Sequence, residues 1–217
     1  MHRPPGRVLV LLAFGLALWG LALWSGAAAA PAKPAAQPSD EMSMGSPRAK
    51  VTVLEYASAS CPHCARFNNE VFPAFKRKYI DTGKVRYELR EMLTPPADLA
   101  AAGFLLARCA GPKRYFAVID DFFQQQAEIY RTGMAMPVLN AVGAKAGFTP
   151  EQVQTCVTDQ AALDALNARV ARHAGEGVHS TPTFVINGTM LPDPGHEIVL
   201  ADLDAAIAPL LHPARGR

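Results

Sequence analysis

The stretch "YASASCPHCARF", residues 56–67, places two cysteines two residues apart between two very different local patterns. Before it, "KVTVLEYAS" (50–58) is rich in β-branched and apolar residues and reads as a buried strand. After it, Phe67, Val71, Phe75 and Tyr79 recur at four-residue spacing, a helical stripe that Pro73 is expected to kink. "GKVRYELREM" (83–92) follows as a second strand, with Val85, Tyr87 and Leu89 on one face. This order predicts a β-α-β unit with both cysteines at the strand-to-helix turn, and few folds accommodate that.

The rest of the chain is organised around this unit. From Pro95 to about Gly175 the pattern is helical and Ala-rich, predicting four or five helices. One of them opens at Thr149 (N-cap), Pro150 (N1) and Gln152 (N3), a capping-box pattern. A strand over "TPTFVING" (181–188), a strand end and turn, and a terminal helix over "IVLADLDAAIAPLL" complete an α/β layout in which a helical block interrupts one sheet domain. At the other end, Arg3 and Arg7 precede an uncharged apolar run (8–24) and then small residues. Residues 1–30 therefore read as a secretory signal cut around Ala27 to Ala30, or as an uncleaved membrane anchor, since the run reaches the lower length limit of a span. Residues 31–48, rich in Pro and Ala, are expected to be a linker. Beyond residue 30 the chain has 19 basic and 19 acidic residues and no basic block, which excludes the charge pattern of nucleic-acid binding.

Four cysteines, Cys61, Cys64, Cys109 and Cys156, all lie beyond the apolar run. A structural zinc site would need a second close pair, and Cys109 and Cys156 stand alone, 47 residues apart. Covalent haem attachment would need a histidine at position 65, which is Ala65. A redox pair remains: at the first turn of a helix, unpaired N–H groups and the positive dipole end favour thiolate over thiol. Cys61 is expected to be exposed and nucleophilic, with Cys64 buried one turn further in. Pro62 presets that turn without an N–H to leave unpaired, and His63, when protonated, would add positive charge beside the sulfur. No metal or cofactor is expected beyond the Cys61–Cys64 disulfide itself. His179 precedes Pro182 by three residues and reads as a loop histidine, the other reading being that it approaches Cys61 and tunes it; His173, His196 and His212 are read as ordinary surface residues.

"VTVLEYASASCPHCARF" together with "GVHSTPTFVING" resembles the DsbA-type thiol–disulfide oxidoreductases of bacterial periplasms. The likeness runs from Gly45 to the C-terminus. It implies a thioredoxin fold in two parts, 49–94 and 176–213, with a helical domain inserted at 95–175. It also implies a periplasmic protein that introduces disulfides into reduced, unfolded exported proteins and is recharged by a DsbB-type quinone-linked membrane oxidase. A monomer is expected. By match, Pro182 would be a cis-proline lying against the cysteine pair, and Thr181 would offer its backbone to an extended substrate. Glu55 would be a buried acid relaying the proton of Cys64. Cys109 and Cys156 resemble a second, structural disulfide, which would stabilise by roughly 4 kcal/mol through loop closure. Other readings are a disulfide isomerase or reductase, and a thioredoxin-fold chaperone or adaptor.

Overall fold

The structure is a computed structural model, and residues 40–212 are described. The expected signal or anchor (1–30) and most of the expected linker lie outside those residues. Among the described residues, no helix is long and apolar enough to cross a membrane.

A five-stranded mixed sheet, in the order β1-β3-β2-β4-β5, forms the centre of the described residues. Strand β2 (Val51–Ala57) and strand β3 (Val85–Glu91) run parallel, with Glu55 beside Leu89 and Ala57 beside Glu91. Strand β4 (Thr183–Ile186) pairs antiparallel on the other side of β2. It turns through Asn187 (φ 47°) and Gly188 (φ 84°) into the short β5 (Thr189–Met190). An Asn-Gly pair suits this turn because both positions need positive φ.

Strand β1 (Met42–Gly45) corrects the sequence reading, which placed it in the linker. It pairs antiparallel with the outer edge of β3, and Met42 and Met44 pack against the core. A four-residue edge strand takes its stability from the neighbour it pairs with, so its own sequence carries little β signal.

The segment after β2 is helical but not uniformly α. Helix α1 (Pro62–Arg66) and helix α2 (Phe72–Phe75) alternate with π-helical turns, Phe67–Val71 and Lys76–Ile80. Pro73 does not produce this alone. A stripe repeating every four residues needs looser winding than the α-helical 3.6, and π turns supply it. Phe67, Phe75 and Tyr79 are buried as a result. Phe67 stacks edge-on against Phe184 of β4, with ring centroids 4.7 Å apart. Burying such a ring contributes about 1.5–3 kcal/mol, and Phe67→Ala would loosen the cysteine-bearing turn from the sheet.

Between β3 and β4 come five helices: α3 (Ala97–Cys109), α4 (Tyr115–Thr132), α5 (Ala135–Lys145), α6 (Pro150–Val157) and α7 (Gln160–Ala174). The capping box forms as expected: Thr149 Oγ1 accepts from Gln152 N–H, and Gln152 Oε1 accepts from Thr149 N–H. Cys109, ending α3, is disulfide-bonded to Cys156 in α6. Helix α8 (Leu200–Leu211) closes the chain against α2 and β2.

Candidate functional site

The cysteine turn stands at the end of β2. Ser58 O accepts from Cys61 N–H at 3.0 Å, and the Ser58 and Ser60 side chains are hydrogen-bonded to Thr94, at the β3–α3 connection. Cys61 is the N-cap of α1, with extended backbone (φ −80°, ψ 121°), and its Sγ accepts from Cys64 N–H at 3.4 Å. Both cysteines are free thiols in this structure. Cys61 is 7 % exposed, against 0 % for Cys64. The order is the expected one, but Cys61 is far less open than a helix-capping position alone implies. The loop before β4 lies over it: Thr181–Pro182 is a cis peptide, and Thr181 O is 3.3 Å from Cys61 Sγ.

The two sulfurs titrate in opposite directions. Cys61 is lowered from its ordinary 9.0 to about 5. The Cys64 thiol, donating to it, contributes most; Thr181 and the N–H groups of Cys64 and His63 add to this against the cost of burial. Cys64 is pushed well above 9.0, first by burial, then by its bond to Cys61 and by the charges of Cys61 and Glu55. One sulfur is a thiolate at neutral pH while its neighbour keeps its proton.

Glu55 is buried on β2, and its pKa is raised to about 8. Burial is the main cause, aided by the Cys61 charge and opposed by a hydrogen bond from Tyr87 of β3. Glu55 accepts its hydrogen bond from Tyr87 and makes none to Cys64 among the described residues, so it raises the Cys64 pKa through space, and only once it is ionised. Tyr87 was not singled out for this role in the sequence, although it lies on the same buried stripe. Pro62 occupies N1 of α1 as expected. His63 touches Cys61 through its backbone N–H, whereas its ring turns to Glu197: Nδ1 lies 2.6 Å from Glu197 Oε1, which also accepts from Arg66 at 2.8 Å. Glu197 is a partner the sequence did not reveal. It belongs to the segment between β5 and α8, which, with Pro182, Phe184, Leu191 and Ile198, lines a groove of about 570 Å³ beside the cysteines.

The remaining histidines divide. His179 is exposed, as a loop residue should be. His173, read as a surface residue, is fully buried: Nδ1 lies 2.9 Å from Glu91 O and Nε2 2.8 Å from Glu41 Oε1. It faces the inner side of α7, along the stripe Leu166, Arg169, His173. Among the described residues, no cluster of three or more His, Cys, Asp or Glu side chains is placed to hold a metal.

A mixed sheet, an inserted helical block and a dithiol at a strand-to-helix turn opposite a cis-proline define a thioredoxin-fold protein with a paired-cysteine site. A thioredoxin family model matches residues 37–207, and the chain belongs to that family. A Rickettsia bellii chain provisionally named a protein-disulfide oxidoreductase is 32% identical over 171 residues, 77% of this chain and 65% of its own length. Disulfide bond formation protein D of Bacillus subtilis is 29% identical over 151 residues, 68% of each. The chain spans 60–65% of the rickettsial relatives' length. Among solved structures, Wolbachia pipientis alpha-DsbA1 superposes with a TM-score of 0.70 at 24% identity, covering 81% of this chain and 92% of that one. Oxidised BdbD from Bacillus subtilis gives 0.67 at 17%, covering 79% and 92%. These likenesses show a shared DsbA-type fold with its helical insertion.

Proposed function

We propose that this chain is a thiol–disulfide oxidoreductase that donates the Cys61–Cys64 disulfide to reduced exported proteins. A substrate thiolate attacks Cys61 Sγ in the disulfide; the S–S bond breaks, a mixed disulfide forms, and Cys64 leaves with the electron pair. Glu55, protonated at neutral pH, supplies the proton that Cys64 then holds. A second substrate thiolate attacks the substrate sulfur of the mixed disulfide and releases Cys61 as a thiolate. The substrate has lost two electrons and the cysteine pair has gained them. Thr181, beside the cis-proline, presents its backbone to an extended substrate strand, and the neighbouring groove takes its side chains. Recharging falls to a DsbB-type quinone-linked membrane oxidase. The site of action is the periplasm, whether the protein is released after cleavage or tethered through residues 8–24.

The observation that carries this reading is the asymmetry of the two sulfurs. A thiolate held at about 5 stabilises the reduced pair at pH 7 by about two pH units' worth of free energy, roughly 2.7 kcal/mol or 60 mV for a two-electron couple. That drives electrons from substrate to enzyme. Equilibration with glutathione tests it: a potential well above about −200 mV marks a disulfide donor, and one near −270 mV marks a reductant. Cys61→Ser is expected to abolish turnover, while Cys64→Ser should trap mixed disulfides. Full dithiol oxidase activity in Cys61→Ser would end the proposal.

A further inference from the structure

Three consecutive backbone carbonyls at the cysteine turn are gripped by one helix of the inserted block. Gln126 of α4, 2 % exposed, donates its side-chain amide to Ala59 O at 2.7 Å and to Cys61 O at 3.2 Å. One turn on, Tyr130 donates its hydroxyl to Ser60 O. Ser60 O and Cys61 O belong to the two peptide planes that flank the Cys61 α-carbon. Holding both therefore fixes φ and ψ of the residue whose sulfur must meet the Cys64 N–H. The contact is close-fitted as well: Gly103 of α3 lies so near Ala59 that a Cβ there would come within 2.8 Å of the Ala59 Cβ. On the following π turn, Asn68 and Asn69 donate to Asp120 and to Phe123 O of the same α4.

Satisfying buried carbonyls accounts for the bonds to Ala59 O and Ser60 O, but not for the one to Cys61 O. Cys61 O already accepts the first helical bond from Ala65 N–H at 3.1 Å, and Gln126 is added to it. We propose that Gln126 and Tyr130 are positioning residues through which the inserted helical domain sets the redox equilibrium of the Cys61–Cys64 pair. Two effects act together. The pinned dihedrals keep Sγ in line with the N–H groups that open α1, and the donors' positive ends offset the dipoles of the three carbonyls they bond. Both favour the thiolate, so they stabilise the reduced pair more than the disulfide. The phenol of Tyr130 feels the same charge in return: burial first, then the Cys61 charge, raises its pKa. The inference rests on the oxidoreductase reading above and extends it to residues outside the sheet.

The test compares wild type, Gln126→Leu and Tyr130→Phe in three readouts: titration of the Cys61 thiolate by its ultraviolet absorbance, equilibrium with glutathione, and urea stability of the oxidised and reduced forms. Gln126→Leu is expected to raise the thiolate pKa and weaken oxidation of glutathione about tenfold, and Tyr130→Phe about threefold. The reduced form should lose correspondingly more stability than the oxidised form. Equal losses in both forms, with the thiolate unmoved, would overturn the inference and leave the oxidoreductase reading standing. An ordinary thiol pKa in wild type would overturn both. Tyr130→Phe removes one partly exposed hydroxyl, so it decides the matter even if Gln126→Leu does not fold.

Discussion

Two carboxylates sit on adjacent strands, on the same face of the sheet, and meet opposite fates. Glu55 on β2 and Glu91 on β3 are 3 % and 0 % exposed, and both continue apolar stripes in which alternate residues point inward. Glu91 has two cations: Arg108 donates at 2.6 Å and Arg169 at 2.7 Å, with Tyr115 adding a third bond at 3.0 Å. All three donors come from the inserted helices. Glu55 has a tyrosine hydroxyl and, among the described residues, no cation, and its pKa rises to about 8. A buried carboxylate with charge partners ties two parts of a fold together; one without them holds a proton at neutral pH and is free to exchange it. The first lies where the helical insertion meets the sheet, the second beside the cysteine pair.

Breaking the paired site should cost most. Glu91→Gln leaves the buried Arg169 and the partly buried Arg108 without their nearest counter-charge, and a loss of about 3–5 kcal/mol is expected in urea unfolding, equal in both redox forms. Glu55→Gln should act in the opposite direction. An acid whose folded pKa is raised costs stability as pH climbs from its ordinary 4.5 towards 8, so the variant gains about 3 kcal/mol over wild type at pH 7 and nothing near pH 4.5. A variant no more stable than wild type at pH 7 would mean that Glu55 is solvated or paired. The smallest effect belongs to the rim of the Glu91 site. His173 faces Glu41, with Arg172 bonded to the same carboxylate and Arg90 and the ring of Tyr56 nearby. Its pKa is raised: burial opposes the charged form, and the bonds to Glu41 and to Glu91 O prevail. This contribution is whole below about 6.5 and fades as pH rises through the folded value. Glu41→Gln should flatten that dependence between about pH 6 and 9, since it removes the group that holds the imidazolium.

What could be read in the sequence was what short-range pattern encodes. Glu55 lies in register with Val51, Val53 and Ala57, so its burial followed from alternation, and the cysteine motif announced its turn through the change of period around it. Glu91 carried the same signal, two residues beyond Leu89 on the stripe with Val85 and Tyr87, and His173 lay on a helical stripe with Leu166. In each case a polar residue on an apolar stripe was the clue. Other features have no local signature. Gln126 and Tyr130 reach carbonyls 65–70 positions away, Glu197 meets His63 across 134, and nothing near them in the chain reveals which loop the inserted helices will press upon. The openness expected of Cys61 failed for the same reason, since its cover comes from Thr181, 120 residues further on.

The central claim is that the fold divides the charge unequally between two neighbouring sulfurs. Titrating the reduced protein by thiolate absorbance addresses it directly, with Cys64→Ser assigning the transition. The expected result is one ionisation at about 5 that belongs to Cys61, with the second sulfur still protonated above 9.0. Two overlapping ionisations near the ordinary thiol value would contradict the account.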